Sequence, residues 1–105
     1  MKKENWVELL EEAPNALKDC KNYFEHRFMG QWQQMITCHR YLFEYFHANG
    51  IQISINNKPI WNYSITMDGE EKRKVVYGSM KAAEQEAIME AFRNLEAVVS
   101  PKPMA

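Results

Sequence analysis

At 105 residues and 46% hydrophobic, the chain holds one domain's worth of sequence, since a core divided in two would leave each half too small to offset its ordering entropy. An aromatic content of 12%, with Trp6, Trp32 and Trp61, excludes a disordered chain. The formal net charge of -1, from 13 basic and 14 acidic residues spread along the whole length, excludes a general polyanion binder and leaves only local patches to meet charged partners.

Asn5 is positioned to cap a short helix over 5–13 that carries Trp6, Val7, Leu9 and Leu10. Pro14 ends it and suits the first turn of a second helix, 14–28, whose apolar stripe is Leu17, Cys20, Phe24 and Phe28. After a break at Gly30, the strongest helical periodicity in the chain predicts a helix over 31–48, with Trp32, Met35, Ile36, His39, Leu42, Phe43 and Phe46 on one side. Asn49-Gly50 closes it, because both residues tolerate the left-handed backbone that a helix end requires.

The period then changes to two. Ile51, Ile53 and Ile55 alternate with polar residues over 51–56, Trp61, Tyr63, Ile65 and Met67 over 60–67, and Val75 and Tyr77 over 73–78, which reads as three half-buried strands. Asn56-Asn57-Lys58-Pro59 and Asp68-Gly69-Glu70-Glu71 have the composition of hairpin connections, so the strands form an antiparallel meander. Ser79 caps a last helix over 79–98, in which Ala83, Ala87 and Ala91 permit close approach to the sheet and Ile88, Phe92, Leu95 and Val98 supply apolar bulk. Residues 100–105 read as a loose tail. The expected fold is a single α+β domain over 1–99: N-terminal helices, a three-stranded antiparallel meander, and a C-terminal helix packed on the sheet. Its core should include Leu17, Phe24, Trp32, Ile36, Leu42, Phe46, Ile53, Trp61, Tyr63, Ile65, Ala87, Ile88, Phe92 and Leu95.

Chemistry-bearing patterns are sparse. Cys20, His26, Cys38, His39 and His47 lack the paired spacing of a zinc site, and adjacent Cys38 and His39 point about 100° apart on a helix. Glu44-x-x-His47 has the spacing of a di-iron helix, but such bundles need a second copy, which the chain lacks. No nucleophile elbow, phosphate loop or His-Glu-x-x-His occurs. No catalytic residue, metal or cofactor is therefore expected. Two cysteines, no apolar leader after Lys2 and Lys3, and no run of the ~18 apolar residues needed to cross a bilayer point to a cytoplasmic protein without a membrane span.

One local charge feature stands out: Lys72, Arg73 and Lys74, with Lys81 at the start of the last helix, where unsatisfied N–H groups favour an anion. The order helix, three antiparallel strands, helix, together with Gly78-Ser79-Met80-Lys81-Ala82-Ala83-Glu84-Gln85-Glu86-Ala87 and on to Phe92 and Leu95, resembles the double-stranded-RNA-binding domain over about 32–95. That family holds phosphates with lysines at the start of this helix, where Lys81 is the match here, so the resemblance implies a phosphate contact by Lys81, and the run Lys72, Arg73 and Lys74 would add to it. The segment from Asn49-Gly50 through Trp61 and Tyr63 to Ala83-Glu84-Gln85-Glu86-Ala87 is also similar to small uncharacterised proteins of phages and mobile elements. This resemblance implies a compact, non-enzymatic accessory protein that binds a macromolecular partner, and it needs no further lysines. Surplus aromatics, namely Tyr23, Tyr41, Tyr45 and Tyr63, support a protein partner. Self-association as a homodimer is expected through Trp6, Val7 and Leu10, because a short helix split off by Pro14 has little to bury in its own domain.

Overall fold

Two helices meet at Pro14, and Ala13 is bonded to both. In the computed structural model, which describes residues 3–28, 39–57 and 60–99, α1 spans Lys3–Glu12 and α2 spans Pro14–Phe28. The Ala13 N–H donates to the Leu9 carbonyl (2.7 Å), the last bond of α1, and the Leu17 N–H to the Ala13 carbonyl (3.0 Å), the first of α2, so the helical ladder is interrupted at the junction. Pro14 has no N–H to lose, and the next donor, the Asn15 N–H, is met by Glu96 Oε1 at 2.7 Å. A carboxylate at this end of α2 also opposes the positive pole of its dipole. α1 begins two residues before the expected cap, so Asn5 lies inside the helix, and Glu4 is the acidic residue of its first turn.

Of the expected helix 31–48, the described part is α3, His39–Ala48; residues 31–38, with Trp32, Met35, Ile36 and Cys38, fall outside the described residues. Gly50, at φ 79°, makes the left-handed turn that passes the chain into β1, Ile51–Asn56. β2, Asn62–Met67, and β3, Glu70–Val75, complete an antiparallel sheet in the order β1-β2-β3. Ile51, Ile53 and Ile55 pair with Met67, Ile65 and Tyr63, which puts all six on one face. α4, Met80–Val99, covers β1 and β2 on that face. Its Ala83, Ala87 and Ala91 are fully buried, and the Ser79 Oγ caps it by accepting from the Ala82 N–H at 3.2 Å.

The third strand departs from expectation. Asp68 and Gly69 both adopt positive φ, 53° and 81°, which makes a two-residue hairpin turn of the kind that matches strand twist. Pairing therefore starts at once with Met67 and Glu70, so Glu70 and Glu71 are strand and not loop, and β2 is used up by Val75 opposite Asn62. The strand ends before Tyr77, which is 87% exposed, and the buried residue of this stretch is Val76. Because side chains alternate, moving the strand by a few positions transfers burial to a neighbour of opposite parity.

The core gathers on Phe92. Phe46 meets it edge-on with ring centroids 4.8 Å apart, Trp6 edge-on at 6.1 Å, and Tyr45 tilted at 6.4 Å. Tyr45 is fully buried, with its hydroxyl donating to Asp19 Oδ2 on α2 at 2.7 Å. Of the remaining expected core, Phe24, Leu42, Phe46, Tyr63, Ile65, Ala87, Ile88 and Leu95 are buried, while Leu17, Ile53 and Trp61 are half-buried against it. Leu9, Ala13, Ala16, Ile51 and Met89 also belong to it. Among the described residues no helix is long and apolar enough to cross a membrane. Replacing Phe92 with Ala should lower stability by about 3–5 kcal/mol, and Glu96→Ala by about 1 kcal/mol through loss of the α2 cap, both read as shifts of the urea midpoint at constant m-value.

Candidate functional site

Two parallel rows of side chains run along α1 and α2. The inner row, Leu9, Ala13, Ala16, Cys20 and Phe24, is buried. The outer row, Val7, Leu10, Pro14, Leu17 and Lys21, is likewise spaced three or four residues apart and stays at the surface or half-buried. Between them lies a cleft of ≈ 390 Å³, lined by Trp6, Leu10, Pro14, Leu17, Lys18, Cys20 and Lys21. Val7 and Leu10 are 50% and 61% exposed.

This divides the expected self-association residues. Trp6 turns inward onto Phe92, and Leu9 beside it is fully buried, so α1 docks on its own domain and does not depend on a partner for burial. Val7 and Leu10 remain on the outside. The cleft is the part that residue-by-residue reading missed, and its signal in the sequence is the spacing of Leu10, Pro14, Leu17 and Lys21.

The basic residues do not form a single patch. Alternation along β3 puts Lys72 and Lys74, paired with Ile65 and Tyr63, on the face that carries α4, and Arg73, paired with Ser64, on the other. Arg73 is held by Glu71 at 3.0 Å. Lys74 borders a second cleft of ≈ 360 Å³ with Asn5, Glu8, Tyr63, Glu86, Glu90 and Arg93. Charges of both signs meet there: Arg93 bonds Glu12 and approaches Glu90 at 3.5 Å and Glu8 at 3.6 Å, tying α1 to α4. Burial, with Glu90 and Glu86 nearby, raises the Tyr63 hydroxyl pKa. Lys81 is exposed in the first turn of α4.

The sulfur and imidazole groups are spread over the fold. Cys20 is in the core, the His26 Nδ1 donates to the Asn22 carbonyl of its own helix (2.8 Å), and the His39 Nδ1 donates to Glu84 Oε1 (3.3 Å), joining the starts of α3 and α4. His47 and Glu44 are exposed near the end of α3. Among the described residues, no group of three or more His, Cys, Asp or Glu side chains could hold a metal ion. No family model, curated protein or solved structure matches the chain.

Burial pushes the Cys20 thiol far above its ordinary 9.0, with Asp19 adding to the effect, so the reactive thiolate is suppressed in the folded protein. Tyr45 is raised for the same leading reason, followed by its hydrogen bond to Asp19. Both groups keep their protons longer when folded than when unfolded. Their contribution is fully present below the unfolded values, 9.0 for the thiol and 10.0 for the phenol, and is lost as the pH rises past them. Stability should therefore fall on going from pH 8 to pH 11, and Cys20→Ala should reduce that slope in urea titrations at each pH. A thiol reagent at neutral pH should label Cys20 only after unfolding.

Proposed function

We propose that the chain is a small non-enzymatic interaction protein, a cytoplasmic accessory factor of the kind carried by phages and mobile elements, which binds a protein partner through the outer face of α1 and α2. The observation that carries this reading is the exposure of Val7 and Leu10 beside an apolar cleft. A scattered surface apolar residue needs no explanation, but here Leu10 lines a concavity together with Trp6, Leu17 and Cys20. The rim is Lys18 and Lys21, and a greasy centre with a polar border is the usual anatomy of a protein interface.

Affinity capture with the full chain as bait tests it. A protein retained by the wild type should be lost with Leu10→Asp, survive nuclease treatment, and be retained by Tyr77→Ala, which alters an exposed aromatic off this face. Capture that is indifferent to Leu10→Asp overturns the reading.

Phosphate contact through Lys72, Arg73, Lys74 and Lys81 has weaker support, because the four side chains are divided between two sheet faces and a helix end. Four phosphates neutralised together would give a log-log salt slope of roughly -3 to -4. The divided arrangement predicts no saturable binding of duplex RNA or DNA near physiological salt, measured by titrating labelled duplexes of equal length at two salt concentrations.

A further inference from the structure

We infer that the cleft lined by α1, α4, β2 and β3 binds a small zwitterion, a free amino acid whose carboxylate is held by Lys74 and the Tyr63 hydroxyl and whose ammonium is held by Glu86. The site is separate from the α1–α2 face, since Asn5 and Glu8 line it on α1, whereas Trp6 and Leu10 line the apolar cleft.

Tyr63 is the group that points to a ligand. It is 3% exposed and its ring belongs to the core, yet its hydroxyl has no hydrogen-bond partner among the described residues. A phenol buried to this degree normally finds a partner, as Tyr45 does in Asp19. Tyr63 instead lines the cleft, and the two carboxylates that act on its hydroxyl, Glu90 and Glu86, line the same cleft, so its polar end is the part that opens there. Burial and these carboxylates keep the proton on the oxygen, and a neutral phenol can both donate and accept.

The charges around it fall into two sets. Arg93 is committed to Glu8, Glu12 and Glu90, which holds α1 on α4 and leaves that cluster no need of a ligand. Lys74 and Glu86 are exposed, and neither is ion-paired among the described residues. Strand register sets Lys74 directly beside Tyr63, while Glu86 comes from α4. The unengaged groups are therefore an ammonium, a carboxylate and a phenol. A simple anion would answer Lys74 and meet Glu86 as a like charge; a simple amine would do the reverse. A molecule carrying both charges a few bonds apart pairs with both. The volume of ≈ 360 Å³ is at the small end for ligand clefts, which suits a molecule of this size, and Ala82 and Met89 offer its side chain apolar surface.

Titrations of the full chain, followed through backbone amide chemical shifts, test the inference with each of the protein L-amino acids added singly. At least one should shift the amides of residues 63, 74 and 85–90 saturably. Its decarboxylated amine and its deaminated acid should each bind about tenfold more weakly, the loss expected when one charged hydrogen bond is removed. Lys74→Gln should weaken the amino acid to the same extent and spare the amine; Glu86→Gln should weaken it and spare the acid. Tyr63→Phe should weaken the amino acid while leaving the urea midpoint in place, because the hydroxyl has no protein partner to lose. No saturable shift with any amino acid overturns the inference. So does an amine or acid that binds as tightly as its parent, or an affinity indifferent to both Lys74→Gln and Glu86→Gln.

Discussion

Burial of the Phe92 ring is the constraint on which the other packing depends. No element here is stable alone: ten-residue helices are marginal in water and a lone hairpin is little better. Phe92 lies on α4, which among the described elements touches the sheet and α1, α2 and α3, and it receives Trp6 from α1 and Tyr45 and Phe46 from α3. α2 joins the same cluster through Tyr45, whose ring meets Tyr23 and Phe24 and whose hydroxyl is fixed by Asp19. Asp19 leaves that hydroxyl satisfied, so a polar aromatic fills the centre of the core without an unmet donor.

Much of this was legible because periodicity reports burial directly. The β1 isoleucines, the alanine row of α4 and the Asn49-Gly50 helix end all behave as their spacing requires. Tyr45 is one of the surplus aromatics whose place, inside or outside, the pattern leaves open, and its hydroxyl is satisfied by donating to a residue 26 positions away that no local pattern displays. The third strand was misplaced for a local reason. Glu70 and Glu71 look like loop residues by composition, and only the tight Asp68-Gly69 turn commits them to pairing.

The candidate site was half legible. Val7 and Leu10 were flagged as apolar residues on a short helix, yet the reasoning attached to them assumed that Pro14 separates α1 from its domain. Proline at a first helical position opens a new helix here, yet α1 stays on its own domain through Trp6 and Leu9, while Glu96 meets the Asn15 N–H. The cleft lies where the two helices meet. The basic run failed in the opposite way: four cations close in sequence are dispersed by the two-residue repeat of the strand that carries three of them.

The composition of β3 has a consequence for how the molecule meets its neighbours. Every residue of this outermost strand is exposed, and Glu70, Lys72 and Lys74 project from the same side as the hydrophobic ladder of β1 and β2. A foreign strand laid alongside would have to desolvate these inward charges, which is how natural sheets stop themselves from growing. At the opposite border, Arg40, Phe43, Glu44 and His47 of α3 share a cleft of ≈ 370 Å³ with Ile51, Gln52 and Ile53 of β1. The border at β3 is thus guarded by charge, and growth of the sheet by strand pairing on that side is disfavoured.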